Sequence, residues 1–358
     1  MNDEQIKIDG SEVTVRAGTR LIEAVRSAGV AVPSLCYSPD YKHHTSCMVC
    51  LVKDNAGGKY IPSCSSIVSG GMDIDASSAG VVAMRQEAVR MLLTEHRAEC
   101  EAPCRLVCPG LLNIPLMNRL LAAGKSEEAA AMTFGALGDP LKVCGDCAGY
   151  CDKACRRKRI DSGLANRAIV MLLASSYPQL AGENREINPV PPKDQRPFNS
   201  TLGKVQEEEW QEWLKESRDG AAAFTDPQSV SEAAEEASRC MHCDCRAAAD
   251  CRLRDVTTEL RVKNPRNKTT SVPIEKKINQ HSGLVFEHAK CIKCGLCVRL
   301  GEGLAGVPAL SFRGRGFNTV LSEPLGYTFV ETTESHPERF AEICPTGALM
   351  LAAERSAR

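Results

Sequence analysis

Cysteine decides what this chain can fold into. It holds 19 cysteines in 358 residues, nearly all in short-spaced groups. The densest stretch, His96 to Cys155, reads EHRAECEAPCRLVCPG, a spacer, then KVCGDCAGYCDKAC. Neither block closes a site alone, so Cys100, Cys104 and Cys108 need partners among Cys144, Cys147, Cys151 and Cys155, and metal centres are expected to tie two ends of a helical hairpin together. An odd count argues against a pure disulfide framework, which is usually small and secreted. Thiolates at short intervals instead suit iron-sulfur clusters, with zinc as the competing metal.

Charge excludes other classes. With 44 basic and 45 acidic residues there is no field to draw nucleic acid or an anionic membrane, and RRKR at 156–159 is too short to change that. The opening MNDEQIKIDG does not read as a secretory leader, and no apolar run approaches the roughly 20 residues of a spanning helix. The expectation is a cytoplasmic protein without membrane insertion, and its length allows two to four domains.

Residues 5–16 alternate apolar and polar on either side of Asp9-Gly10, which predicts a β-hairpin. An amphipathic helix follows over 19–29, then strands near 49–53, 59–62 and 72–75. Hairpin, helix and returning strands are the order of a β-grasp ferredoxin domain over 1–78. Within it Cys36, Cys47, Cys50 and Cys64 stand in the pattern C-x10-C-x2-C-x13-C. That spacing resembles the [2Fe-2S] domain at the start of the large electron-transfer subunit of respiratory complex I and of NAD-linked hydrogenases, and differs from the plant-type pattern. The resemblance implies one [2Fe-2S] cluster on these four thiolates.

A helix is predicted over 80–96, delivering His96 to the first cysteine block. His96-x3-Cys100 matches the H-x3-C start of a [4Fe-4S] site in the same complex I subunit. The continuation, Cys104-x3-Cys108-Pro109 and the second block, is similar instead to the helical two-[4Fe-4S] domain of glutamate synthase small subunits and dihydropyrimidine dehydrogenase. This second resemblance implies a helical domain over 79–175. Cys100, Cys104 and Cys155 would share one cluster, completed by His96, and Cys108, Cys147 and Cys151 the other, completed by Cys144. A histidine at a helix end also serves as a cap, so both roles stay open for His96.

Residues 176–230, with six prolines and the run QEEEWQEWLKESRD, read as a linker with one helix. In the flavoproteins that the middle resembles, flavin and NAD domains precede an E-A-x-R-C-x-x-C-x-C signature; here EEASRCMHCDC follows the linker directly. The G-x-G-x-x-G from Gly301 follows a cysteine loop and not a strand, and Gly124-Lys125-Ser126 lacks the first P-loop glycine because position 119 is arginine. Flavin is therefore expected on a partner chain.

Over 231–265, Cys240, Cys243, Cys245 and Cys251 are spaced for a single [4Fe-4S] cluster, with zinc as alternative. Over 266–358, Cys291, Cys294 and Cys297 are closed at a distance by Cys344-Pro345, which resembles one [4Fe-4S] site of the complex I subunit.

The reading is an α+β multidomain chain: β-grasp [2Fe-2S] domain, helical two-cluster domain, and C-terminal [4Fe-4S] ferredoxin-like region. One [2Fe-2S] and four [4Fe-4S] clusters make roughly 18 irons. The expected role is a non-catalytic iron-sulfur subunit of a multi-subunit oxidoreductase. It would relay electrons between an NAD(P)H-linked flavoprotein and a hydrogenase, a formate dehydrogenase or an electron-bifurcating partner. The alternatives are a self-contained flavin-dependent NAD(P)H reductase and a structural zinc protein.

Overall fold

The computed structural model describes residues 3–97, 100–182, 187, 207–218, 220–248, 250–263, 275–304, 306 and 308–352. The fold is mixed α+β and falls into two compact units, one of residues 1–97 with 249–358, the other of 98–248.

The first unit opens with β1 (Asp3–Ile8) and β2 (Ser11–Arg16), paired antiparallel through a two-residue turn. Asp9 and Gly10 both take positive φ (48° and 81°), the turn whose twist matches a hairpin. Then come α1 (Leu21–Ser27), β3 (Leu51–Asp54), β4 (Lys59–Pro62) and β5 (Asp73–Asp75). The five strands order as β2-β1-β5-β3-β4, with β5 parallel to β1. Alternation puts Ile6, Ile8, Val15, Val52 and Ile74 on the buried face, where α1 covers them with Leu21, Ile22, Ala24 and Val25. Helix α2 (Ala79–Glu95) starts where the Ser78 hydroxyl accepts from the Val81 N–H and stops at His96. Arg85 on α2 donates through Nε to the Leu51 carbonyl at 2.8 Å, and Gln86 donates to the Leu260 carbonyl at 2.9 Å.

The second unit is helical: α3 (Pro103–Leu106), α4 (Ile114–Ala122), α5 (Ser126–Leu137), α6 (Pro140–Asp146), α7 (Tyr150–Lys153), α8 (Asn166–Ser176), α9 (Glu207–Leu214) and α10 (Val230–Ser238). Its core joins Ile114, Met117 and Leu121 of α4 to Ala129 and Ala130 of α5, Ile169 and Leu173 of α8, and Ala233 and Ala237 of α10. Gly110 is required where the chain turns into α4, because a Cβ there would lie 2.4 Å from the Ala136 carbonyl oxygen. On α10 the two alanines, one turn apart, give a smooth face that lies close on α4 and α8.

A buried ion pair fixes α10. Glu236 and Arg239 meet at 2.8 Å with both side chains almost wholly buried. The Glu236 carboxylate also accepts from the Ala165 and Phe224 N–H groups, while Arg239 reaches Asp161 and Ser162.

The first unit resumes with α11 (Arg252–Glu259), β6 (Lys276–Ile278), β7 (Leu284–Glu287), α12 (Leu296–Glu302), β8 (Ser311–Arg313), β9 (Val320–Ser322), α13 (Phe329–Thr333), α14 (Pro337–Ile343) and β10 (Leu349–Leu351). Strands order as β10-β7-β6, with β8 and β9 a separate hairpin. Leu284, Phe286, Leu300, Leu310, Phe329, Phe340 and Leu349 form the core there. Among the described residues no helix is long and apolar enough to cross a membrane.

The compact units do not follow the sequence division into 79–175 and 231–265. Helix α2 belongs with the sheet, because its Val81, Val89 and Leu93 are buried and Arg85 holds β3. Helix α10 belongs with the helices before the expected linker, because its alanines complete their core. Of that linker, 183–186, 188–206 and 219 lie outside the described residues, and α9 lies within it.

Glu236→Ala would leave the Arg239 charge buried without its main partner. Chemical denaturation should show the helical unit destabilised by about 3–5 kcal/mol, and replacing both residues with methionine should recover much of the loss.

Candidate metal centres

Four buried thiols converge beside the first sheet. The loop after α1 carries Cys36 and Cys47, whose sulfurs lie 3.3 Å apart, while Cys50 enters β3 and Cys64 leaves β4. Cys36 is held well below the usual thiol range by the Cys47 S–H and then the Cys64 S–H, and Cys50 is lowered to about 7 by the Cys64 S–H. Cys47 and Cys64, the donors, are pushed up in turn. Packed this tightly the four cannot all ionise unless a cation replaces their protons, so the donor set fits a small thiolate-bound cluster.

Sequence spacing gave no sign of His43. Its Nε2 lies 3.0 Å from the Cys64 sulfur, and the ligand atoms of Cys36, His43 and Cys64 all lie within 4.8 Å of one another. Tyr37 meets the imidazole edge-on at 5.3 Å and donates its hydroxyl to Glu23. Burial lowers the imidazole's pKa and favours its neutral form. A neutral ring can donate one N–H to sulfur, an outer contact of the kind that tunes a metal centre.

In the helical unit two sets of thiols separate. Cys104, Cys155, Cys240 and Cys243 line one pocket, with Pro103, Pro115 and Asn118 among its walls. Burial pushes the Cys104 thiol well up, reinforced by Cys240, Cys155 and Cys243, and burial raises Cys240 to about 11. The second set is Cys108, Cys144, Cys147 and Cys151. Cys144 is raised to about 12 by burial and then by Cys108 and Cys147, and Cys151 by burial, Asp152, Cys108 and Cys144.

The second set is the grouping expected from the sequence. The first is not. Cys104 and Cys155 face Cys240 and Cys243, whereas Cys100 is tied through its carbonyl to the Cys245 N–H at 3.2 Å. His96 ends α2 and Cys251 precedes α11, both in the sheet-bearing unit. Within the helical unit the run therefore divides, Cys240 and Cys243 lining the pocket while the Cys245 N–H donates to the Cys100 carbonyl. The cause lies in α10, whose docking carries Cys240 and Cys243 to the ends of α3 and α7. The buried ion pair of Arg119 with Asp244, at 2.8 Å, then pins the loop to α4. Burial opposes ionisation of Asp244, but Arg119 holds its carboxyl well below the usual range.

The fourth set lies in the C-terminal half. Cys291, Cys294, Cys297 and Cys344 line a pocket walled by Phe286, Leu321 and Leu349. The Lys293 N–H points at the Cys291 sulfur at 3.4 Å, and the Thr346 hydroxyl lies 3.7 Å from that of Cys344. Burial raises Cys291 to about 12. This cavity neighbours the first site within the same unit: Ser46 donates to the Cys294 carbonyl at 3.4 Å, and Arg299 donates to the Cys36 carbonyl at 2.7 Å.

Several cysteine loops share a backbone device. Met48, His242 and Lys293 take φ of 57°, 48° and 55°, a left-handed conformation uncommon for side chains other than glycine. Each lies between cysteines of one short loop, where reversing the chain turns successive thiols toward the same side. Such strain persists only where its surroundings hold it.

Thiol-only donor sets between apolar walls fit iron-sulfur clusters. Comparison with known proteins agrees at the N-terminal end. The gamma chain of the NAD-reducing hydrogenase HoxS of Cupriavidus necator is 34% identical over 96 residues, 27% of this chain and 40% of that one. The mitochondrial NADH-ubiquinone oxidoreductase 78 kDa subunit of Candida albicans is 32% identical over 96 residues, 27% of this chain and 13% of its own. The match thus spans less than half of each relative. A solved structure of an NAD+-reducing [NiFe]-hydrogenase in the H2-reduced state aligns with 99% of this chain and 90% of its own at a TM-score of 0.45 and 18% identity. Over residues 4–79, where Cys36, Cys47, Cys50 and Cys64 converge, the chain matches the family described as the 2Fe-2S iron-sulfur cluster binding domain.

Proposed function

We propose that this chain is an iron-sulfur electron-transfer subunit of a cytoplasmic multi-subunit oxidoreductase. It would relay electrons between an NAD(P)H-linked flavoprotein and a second redox subunit, such as a hydrogenase, a formate dehydrogenase or an electron-bifurcating partner. The observation that carries this reading is the gathering of sixteen cysteines into four sets of four, two of them joined through the Ser46 to Cys294 hydrogen bond. When bound, clusters on these thiolates supply one-electron chemistry, and the chain's residues set their spacing, burial and hydrogen bonding.

The proposed ligands are Cys36, Cys47, Cys50 and Cys64 for a [2Fe-2S] cluster in a β-grasp domain. Three [4Fe-4S] clusters would take Cys104, Cys155, Cys240 and Cys243; Cys108, Cys144, Cys147 and Cys151; and Cys291, Cys294, Cys297 and Cys344. The two helical sites would make a two-cluster domain whose first centre borrows half its ligands from the segment after α10. A fourth [4Fe-4S] centre stands on the cysteine count alone. Similarity of the N-terminal segment to subunits of NADH-linked complexes supports partner subunits of that general kind.

Protein purified without oxygen should contain iron and acid-labile sulfide in near equal amounts, with separate [2Fe-2S] and [4Fe-4S] EPR signals. A preparation holding zinc instead of iron would sink the reading. Cys344→Ser should abolish one [4Fe-4S] signal and leave the [2Fe-2S] signal intact.

The regrouping has its own test. Cys104→Ser and Cys240→Ser should each lose the same signal and roughly four irons, and the double variant should lose no more; additive losses would restore two separate centres.

Loading should also depend on pH, because cluster assembly displaces thiol protons. Burial raises Cys240 to about 11 and Cys144 to about 12 in the unliganded fold, against a usual value of 9.0. Since the unfolded thiols ionise first, the cluster-free helical unit should keep its stability below pH 9 and lose it between 9 and 12. Denaturant midpoints of iron-stripped protein at pH 8 and pH 10 would show the fall.

A further inference from the structure

A buried positive charge stands where the sheet-bearing domain meets the C-terminal cysteine loop. Arg299 lies on α12, two residues past Cys297, and is only 5% exposed. Its Nη2 donates to the main-chain carbonyl of Cys36 at 2.7 Å. Its Nη1 passes over Gly295, 3.3 Å from where a Cβ would stand, between Cys294 and Cys297. Gly295 itself takes φ 73°. Among the described residues no carboxylate forms an ion pair with Arg299. The lysines of this loop are paired at short range: the buried Lys290 with Glu287 at 2.6 Å, and the partly exposed Lys293 with Glu95 at 2.8 Å.

A guanidinium taken out of water and given only a neutral carbonyl is costly to bury. The fold tolerates one when an anion lies close. The anions this position offers are the thiolates on either side, Cys36 and its set, and Cys294, Cys297 and theirs. Arg299 donates to the backbone of the first set and passes over the glycine between two cysteines of the second.

We infer that Arg299 is the shared counter-cation of the [2Fe-2S] and C-terminal [4Fe-4S] sites, holding the two centres together and easing the arrival of an electron at either. The inference rests on the reading of these thiols as cluster ligands. Arg299 acts through charge and position, touching a ligand's main chain and no reacting atom. Adding an electron adds a negative charge, so a fixed cation nearby favours the reduced form and raises the midpoint potential.

Arg85 provides the internal comparison. It too is buried, at 3% exposure, and donates to a main-chain carbonyl, that of Leu51 next to Cys50. It lies on α2, against the [2Fe-2S] set alone.

The test is an EPR-monitored redox titration of the full chain with its clusters. Arg299→Met should move both midpoints to more negative potential with iron content unchanged, and Arg299→Lys should leave both near those of the unaltered protein. Arg85→Met should shift the [2Fe-2S] midpoint only. An Arg299→Met protein that loads its iron yet keeps either midpoint overturns the inference. Should Arg299→Met fail to load, the unaltered protein decides. Fully reduced, it should show magnetic interaction between the [2Fe-2S] signal and the [4Fe-4S] signal that Cys344→Ser removes, and two independent signals overturn the proposal. Absence of iron from the unaltered protein would instead refute the underlying cluster reading, which iron analysis separates from the outcomes above.

Discussion

Four thiols brought to one point are the constraint on which the rest of this structure depends. As thiols they are poor partners for one another, and as thiolates they repel; only a cation or cluster among them makes the arrangement favourable. The chain invests heavily in it. Aromatic residues make up only 4% of the sequence, and among the described residues three apolar cores each include cysteines in their packing: Cys50 and Cys64, Cys108, and Cys297. The cores are small and aliphatic, and the cysteine sites lie within them.

Polar interactions supply what apolar packing cannot, namely direction. The Glu236–Arg239 and Arg119–Asp244 pairs are buried where they decide how the segment after α10 meets α4 and α8. Such pairs add little net stability compared with apolar replacements. Their value here is positional. A shift of α10 by one residue would separate Glu236 from the Ala165 and Phe224 N–H groups and withdraw Cys240 and Cys243 from the cavity.

How much of this could be read from the sequence depends on how local each feature is. The first hairpin, α1 and α2 were legible because alternation, the Asp9-Gly10 turn and helical periodicity are short-range signals. The sets Cys36 to Cys64 and Cys291 to Cys344 were legible because their short cysteine pairs sit in single loops. The regrouping of Cys104 and Cys155 with Cys240 and Cys243 was not, since spacing within a run cannot reveal that the run divides between two places. What marked it, in retrospect, was Ala233 and Ala237 one turn apart just before the cysteines, a smooth face that needs a helix to lie against. His43 and Arg299 were invisible for a simpler reason. A lone imidazole and a lone guanidinium gain meaning only from what folds beside them.

The regrouping has a geometric consequence for the proposed electron transfer. Cys104 and Cys108 are four residues apart at α3, and Cys151 and Cys155 four residues apart at α7; α3 and α7 pack together. In each pair one member faces the first helical set and the other the second. A spacing of four residues is about one helical turn, roughly 5.4 Å of rise. Two such one-turn links, side by side, would join the two centres through covalent backbone. Their separation is then held by a short run of backbone and not by the fit of side chains, which relaxes when a core residue is changed. The proposed relay would require its centres to keep their distance as partner subunits bind. Drawing neighbouring ligands of two sites from one short stretch of chain keeps that distance without requiring the surrounding core to be rigid.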